Sequence, residues 1–163
     1  MDLCNEKDIR ALLGRHGFRF SKSMGQNFLI EGWVPRDIAE ASGAGPDTGV
    51  LEIGPGIGPL TVQLARRAAK VAAIELDRPL YPILAETLAP YPNAEVVPGD
   101  AMKLDLAALV SDKFSGLTVI ACANLPYNIT TPVLTKLVET PCFERITVMI
   151  QKEVAQRLCA AQG

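Results

Sequence analysis

The sequence is poor in the side chains that metal and disulfide chemistry need. It has one histidine, His16, and four scattered cysteines, Cys4, Cys122, Cys142 and Cys159, with no C-x-x-C pair. Neither a zinc site nor a disulfide framework is expected from that set, and the cysteines read as buried or idle thiols in a reducing compartment. The chain opens Met1-Asp2-Leu3-Cys4-Asn5-Glu6, without a basic stretch leading into an apolar run, so no signal peptide is read there. No apolar run approaches the roughly 18 residues that cross a bilayer. There are no repeats and no low-complexity segment. Nor is there an excess of basic charge: the net charge is −2 and the pI about 5.4. That argues against a general nucleic-acid coat protein while leaving room for a local basic face. A soluble, cytoplasmic protein is expected.

What is present suits one globular domain. The chain has 163 residues, 48% of them hydrophobic and 21% charged, enough apolar material for a sizeable core. Short apolar runs at 50–54, 70–76, 94–98, 117–123 and 146–150 read as strands buried on both faces of a parallel sheet. Helix-like segments at 60–69, 79–89, 104–110 and 131–139 alternate with them. The alternation predicts a mostly parallel, doubly wound α/β sheet. Before residue 50 the pattern changes. A helix is expected over 6–15, with Ile9, Leu12 and Leu13 on one face, then an irregular stretch over 17–28 and a helix over 35–41. A helix-like stretch over 151–161 follows the fifth strand.

The sharpest local signal is Glu52-Ile53-Gly54-Pro55-Gly56-Ile57-Gly58, which ends the first strand and opens a helix. Glycines there permit a tight turn and let a ligand approach the backbone, facing the amides of the helix N-terminus. Glu75 ends the second strand, twenty-one residues after Gly54. An acid at that place meets ribose hydroxyls in nucleoside-binding α/β folds. Alone, Glu75 reads equally well as a solvated strand-end charge with Asp77 as its equal; beside the glycine loop, ribose binding is the better reading. The loop has Pro59 where a dinucleotide fingerprint wants its third glycine, which favours S-adenosylmethionine over NAD. Gly99-Asp100-Ala101 follows the third strand. Alone it reads as an ordinary Gly-Asp turn. As the third of a series of strand-end groups, Asp100 becomes a candidate acceptor for an adenine amino group.

Asn124-Leu125-Pro126-Tyr127 ends the fourth strand, on the sheet edge where open α/β folds bind ligands. An adenine N6 amine is a weak nucleophile, because its lone pair is delocalised into the ring. Two carbonyl acceptors on its hydrogens hold the nitrogen pyramidal and free that pair. The Asn124 side chain and a backbone oxygen near Leu125 can supply them. Pro126 stiffens the segment, and Tyr127 offers a face on which an extruded base can stack. The alternative is an ordinary strand-to-turn exit, in which Asn and Pro are frequent.

With these residues in place the chain resembles the ribosomal RNA adenine dimethyltransferases, a family that includes the small-subunit dimethyladenosine transferase and the erythromycin-resistance methylases. The matching segments are 22–29 (Lys-Ser-Met-Gly-Gln-Asn-Phe-Leu), the glycine loop, Glu75, Gly99-Asp100-Ala101, Asn124-Leu125-Pro126-Tyr127-Asn128-Ile129 and 151–155 (Gln-Lys-Glu-Val-Ala), in family order across nearly the whole chain. The first and the Asn-Leu-Pro-Tyr segment look most like the small-subunit enzyme.

The resemblance implies a Rossmann-like S-adenosylmethionine-dependent methyltransferase fold. It also implies roles. Asn27 and Leu29 would close over the methionine end of the cofactor, with Gln26 among its contacts. Gly54 and Gly56 would line the glycine loop, Glu75 would take the ribose, and Asp100 with Ala101 the adenine. Asn124 would touch both cofactor and target nitrogen, and Tyr127 would stack on the target base. The implied product is N6,N6-dimethyladenosine at two adjacent adenines near the 3′ end of small-subunit rRNA. Residues 1–46 would form an N-terminal segment with cofactor-closing and RNA-contact residues, and 47–163 the catalytic domain. Family members continue through further strands into a small helical domain, so the chain is expected to be truncated after the fifth strand and its helix. A monomer acting on immature small ribosomal subunits is expected, without metal or membrane.

Residues 7–22 carry Lys7, Arg10, Arg15, Arg19 and Lys22 against Asp8 alone, interleaved with Phe18 and Phe20. The cluster reads equally as phosphate- and base-contacting or as a solvated helix face over two core phenylalanines; the resemblance favours RNA contact by Arg15, Arg19 and Lys22. Arg66, Arg67 and Lys70 read as an ordinary basic helix end. Three rivals stand beside the small-subunit reading. A DNA adenine methyltransferase is disfavoured by Leu125 in place of a proline. A large-subunit resistance methylase shares the chemistry. A cofactor-binding portion without turnover is the third.

Overall fold

The computed structural model describes residues 1–19, 31–125 and 129–150, together with residues 156, 159 and 160. The elements are α1 (Glu6–Arg15), α2 (Trp33–Ala41), β1 (Thr48–Ile53), α3 (Pro59–Ala65), β2 (Lys70–Glu75), a 3-10 turn (Arg78–Leu80), α4 (Tyr81–Thr87), β3 (Ala94–Pro98), α5 (Leu106–Lys113), β4 (Thr118–Asn124), α6 (Thr130–Glu139) and β5 (Arg145–Met149). Gln156, Cys159 and Ala160 are helical; the rest of the stretch expected over 151–161 lies outside the described residues.

The five strands form one sheet in the order β3-β2-β1-β4-β5, and every pairing is parallel. The chain starts at the centre, winds outward through β2 and β3, then returns to the other side of β1 with β4. The reversal leaves a crevice beyond the carboxyl ends of β1 and β4, the topological switch point at which such sheets bind ligands.

Helices cover both faces. On one, α5 and α6 bury Leu106, Val110, Val133 and Leu137 against Leu51, Ile74 and Ala121. On the other, α2 and α3 bury Ile38, Ala39, Leu60 and Leu64 against Val50, Val71 and Ile120. A third cluster joins α1 to α4 through Ile9, Leu12, Leu13, Ile83 and Leu84, with Ile57 of the glycine loop among them. The N-terminal helix is thereby fastened beside the loop. The central strands are buried at nearly every position, as their composition requires, but β3 and β5 are half-buried. They flank the sheet and have one strand neighbour each among the described residues, which full burial of all five strands did not anticipate.

Local chemistry sets the helix ends. The Asn5 side chain accepts from Asp8 N at 3.2 Å and caps α1, which buries Ile9, Leu12 and Leu13. Its far end closes with Phe18 N donating to Leu13 O at 2.9 Å and Gly17 N to Gly14 O at 3.1 Å, a Schellman closure. Phe18 then packs against the α1–α4 cluster, so it serves the helix stop rather than an open stacking face. The helix expected over 104–110 instead begins at Leu106 and runs to Lys113. Asp105 accepts from Ala108 N at 3.1 Å, and this cap overrides the apolar Leu104 before it. The helix expected to 69 stops at Ala65, because Ala69 N turns to Thr48 O at 3.0 Å to lead into β2.

Candidate active site

A cavity of about 670 Å³ opens at the switch point. Its floor is the end of β1 and the glycine loop, and its walls are the end of β2, the loop after β3, Asn124 at the end of β4 and Val133 on α6. Six of the residues singled out in the sequence line it together: Gly54, Gly56, Glu75, Asp100, Ala101 and Asn124. They come from four different strand ends, brought together by the sheet order alone.

Gly54 and Gly56 have φ of +71° and +62°, a backbone region that costs an L side chain dearly. Among the described residues, none other than its two chain neighbours comes within 4 Å of where a Cβ on Gly54 would stand, so the backbone there is open to a ligand. Gly58, at φ +103°, precedes Pro59 at the start of α3, where the fixed proline φ suits a first helical residue.

Glu75 is buried at the end of β2, whereas Asp77 is exposed. The Glu75 carboxylate accepts from Gly56 N at 3.1 Å through Oε1 and from Asp77 N at 2.9 Å through Oε2. Its own carbonyl accepts from Tyr81 OH at 2.8 Å and from Gly99 N at 3.0 Å. One residue thus ties the glycine loop, β2 and the start of the loop after β3. Each carboxylate oxygen keeps an acceptor direction to spare.

Asp100 accepts from Met102 N at 2.9 Å through Oδ1 and shapes the turn that follows β3. Leu76 and Met102 line the cavity with 65% and 43% of their surface exposed. Large apolar side chains held open at a cavity mouth suit a flat, weakly polar ligand. The sequence carries a signal for Leu76, an apolar residue directly after the strand-end acid. Asn124 is half-buried, and its side chain makes no hydrogen bond to any other described residue. Leu125 follows with its side chain in the core and its N–H donating to Met149 O at 3.1 Å, which pins the segment to β5.

Sequence reasoning does not single out Glu52, yet it is the most unusual charge at the site. It lies fully buried in β1, lines the cavity and accepts from Thr61 Oγ1 of α3. Burial pushes its carboxyl up to about 8, opposed by the Thr61 hydrogen bond and reinforced by Glu75. Cys122, its neighbour across β4, is pushed up to about 12, mainly by burial. That thiol is therefore a packing group rather than a nucleophile.

Arg15 is engaged elsewhere. Its guanidinium makes two hydrogen bonds to Glu86 of α4, at 2.5 and 3.3 Å, and His16 Nε2 stands 3.3 Å from the same carboxylate. The Arg15 hydrogen bond, foremost among the causes, holds the Glu86 carboxyl below the usual range. Arg19 is exposed. Lys22, Gln26, Asn27, Leu29, Pro126 and Tyr127 lie outside the described residues. Among the described residues no group of three or more His, Cys, Asp or Glu side chains could hold a metal ion, and no helix is long and apolar enough to cross a membrane.

Comparison with known proteins agrees with this arrangement. The model of the family described as ribosomal RNA adenine dimethylase matches residues 17–163. The ribosomal RNA small subunit methyltransferase A of Geobacillus thermodenitrificans is 48% identical over 99% of this chain and 56% of its own length. The chain thus spans about half the length of the curated relatives it matches. Among solved structures, the 23S rRNA methyltransferase ErmE superposes with a TM-score of 0.70 at 32% identity, over 82% of this chain and 52% of that one. A dimethyladenosine transferase from Plasmodium falciparum superposes with a TM-score of 0.65 at 32% identity, over 79% and 45%. A parallel sheet in this order, its strand-end residues around one cavity and a family match over nearly the whole sequence agree: the chain belongs to the ribosomal RNA adenine dimethylase family.

Proposed function

We propose that this chain is the S-adenosylmethionine-binding, catalytic part of an enzyme that dimethylates the N6 amine of two adjacent adenosines near the 3′ end of small-subunit ribosomal RNA. The observation that carries the reading is the cavity at the switch point, with the buried Glu75 carboxylate on one side and on the other the Asn124 amide, unengaged by other described residues.

The residues fit the cofactor. The spare acceptor directions of Glu75 match two ribose hydroxyls, and the bare backbone at Gly54 admits close approach. Asp100 offers a carboxylate to the adenine amino group, with Leu76 and Met102 against the ring. When bound, the cofactor supplies an electrophilic methyl carbon on a sulfonium. The protein's part is then alignment. Asn124 Oδ1 and the Leu125 carbonyl would accept from the two N6 hydrogens, leaving the nitrogen lone pair free to face the bound cofactor's methyl group, and the proton displaced on methylation would pass to solvent. Tyr127 stacks on the extruded base, and Asn27, Leu29 and Gln26 close over the methionine end. Arg15, Arg19 and Lys22 contact RNA phosphates, Arg15 at the expense of its Glu86 pair. The enzyme acts in the cytoplasm, as a monomer, on immature small subunits.

A large-subunit methylase is the second reading, favoured by the closer superposition with ErmE; the higher sequence identity to the small-subunit relative outweighs it. The test is transfer of labelled methyl groups to unmodified small and large subunits in parallel, with the RNA digested to nucleosides. Labelled N6,N6-dimethyladenosine from small subunits supports the proposal. The same product from large subunits alone supports the second reading, and no label in either, from this chain and from a full-length one, refutes both.

A further inference from the structure

The loop after β3 brings Asp100 and Met102 to the cavity, and three of its hydrogen bonds are its own. Met102 N donates to Asp100 Oδ1 at 2.9 Å, and Lys103 N and Leu104 N donate to Asp100 O at 2.9 and 3.0 Å. These bonds give the turn a shape, and Gly99 N donating to Glu75 O at 3.0 Å ties its start to β2, but none of them fixes the far side of the turn. The apolar contacts of Ala101 and Leu104 with the core are not directional.

A second directional tether comes from α6. Lys136 Nζ donates to Ala101 O at 2.6 Å and to Leu104 O at 2.7 Å. One half-buried ammonium gathers two carbonyls from opposite ends of the turn, as a bound cation would, through short charge-assisted bonds. Val133 precedes Lys136 by three residues, about one helical turn, and lines the same cavity. The helix that follows the Asn124 segment therefore both walls the cavity and fixes the loop on its far side.

We propose that Lys136 is a positioning residue for nucleobase recognition: by clamping the Ala101 and Leu104 carbonyls, it places the Asp100 carboxylate where it reads an exocyclic amino group. The proposal rests on the reading of the cavity as a nucleoside site. Loss of the ammonium strands two half-buried carbonyls, and the turn relaxes away from α6. Asp100 then moves, while Glu75 and the glycine loop, held by β1 and β2, stay in place. The consequence is a loss of selectivity between bases, not only of affinity.

The test is calorimetric titration of the full chain with S-adenosylhomocysteine and with its inosine counterpart, which has an oxygen in place of the 6-amino group. The wild type is expected to prefer the amino compound by about tenfold or more, the scale of one hydrogen bond to a charged group. In Lys136→Met that ratio falls toward one. Lys136→Gln, which keeps a donor and most of the length, gives a ratio between the two and serves where the Met variant does not fold. A general weakening of the fold would lower both affinities together and leave the ratio unchanged; that result, or a wild type with no preference, overturns the proposal. A wild type that binds neither ligand overturns the site reading as well.

Discussion

Gly56 donates its backbone N–H to Oε1 of Glu75 at 3.1 Å, and the bond joins the loop after β1 to the end of β2. The acid therefore has two duties: it holds the glycine loop in shape and presents its remaining acceptor directions to the cavity. Removing it should disturb both. Glu75→Ala is expected to weaken S-adenosylmethionine binding by roughly 1–3 kcal/mol, the scale of lost charged hydrogen bonds. Titration calorimetry reads this directly, and an unchanged isotherm would remove Glu75 from the site.

In the proposed alignment, Asn124 separates binding from chemistry. Its amide is unengaged by other described residues, and its neighbour Leu125 is anchored to β5, so Asn124→Ala should leave the fold intact. Methyl transfer should fall below detection while cofactor affinity drops only modestly. Transfer at the wild-type rate would exclude the alignment mechanism.

The buried Glu52 makes stability depend on pH. Its carboxyl is raised from 4.5 to about 8 in the folded protein, so the folded state holds a proton that the unfolded chain releases. Stability is then highest below about pH 4.5 as far as this group is concerned, declines through the interval up to about 8, and levels off above it. Glu52→Gln keeps an acceptor for Thr61 without the ionisation. Urea melts of the two proteins should diverge as pH rises from 5 to 9, the variant becoming the more stable; parallel profiles would show that Glu52 does not titrate in this range.

Gly49 in β1 lies under Phe114, which closes α5. A Cβ at that glycine would overlap the ring. Phe114 is itself buried in the core, so the ring has little room to retreat. Gly49→Ala should cost about 1–3 kcal/mol, as overpacking of a tight core does. A melting temperature equal to that of the wild type would contradict this packing.

How much of this was readable from residues alone follows from the range of each interaction. The 94–98 strand was legible to the residue, since an apolar run bounded by turn residues needs no tertiary information. The gathering of Gly54, Glu75, Asp100 and Asn124 was legible as well, because a parallel sheet must bring its strand ends to one edge. The partners of charged side chains were not. Arg15 meets Glu86 across 71 positions, and Lys136 reaches Leu104 across 32. Local spacing cannot encode either pairing. The ionisation of Glu52 was hidden too, since it arises from complete burial and not from the motif that contains the residue.

The claim that the switch-point cavity is an S-adenosylmethionine site is tested most directly by titrating the chain with that cofactor, with S-adenosylhomocysteine as competitor and NAD as control. Saturable one-to-one binding, displaced by S-adenosylhomocysteine and untouched by NAD, is the predicted result. Failure to saturate, or displacement by NAD, would contradict it.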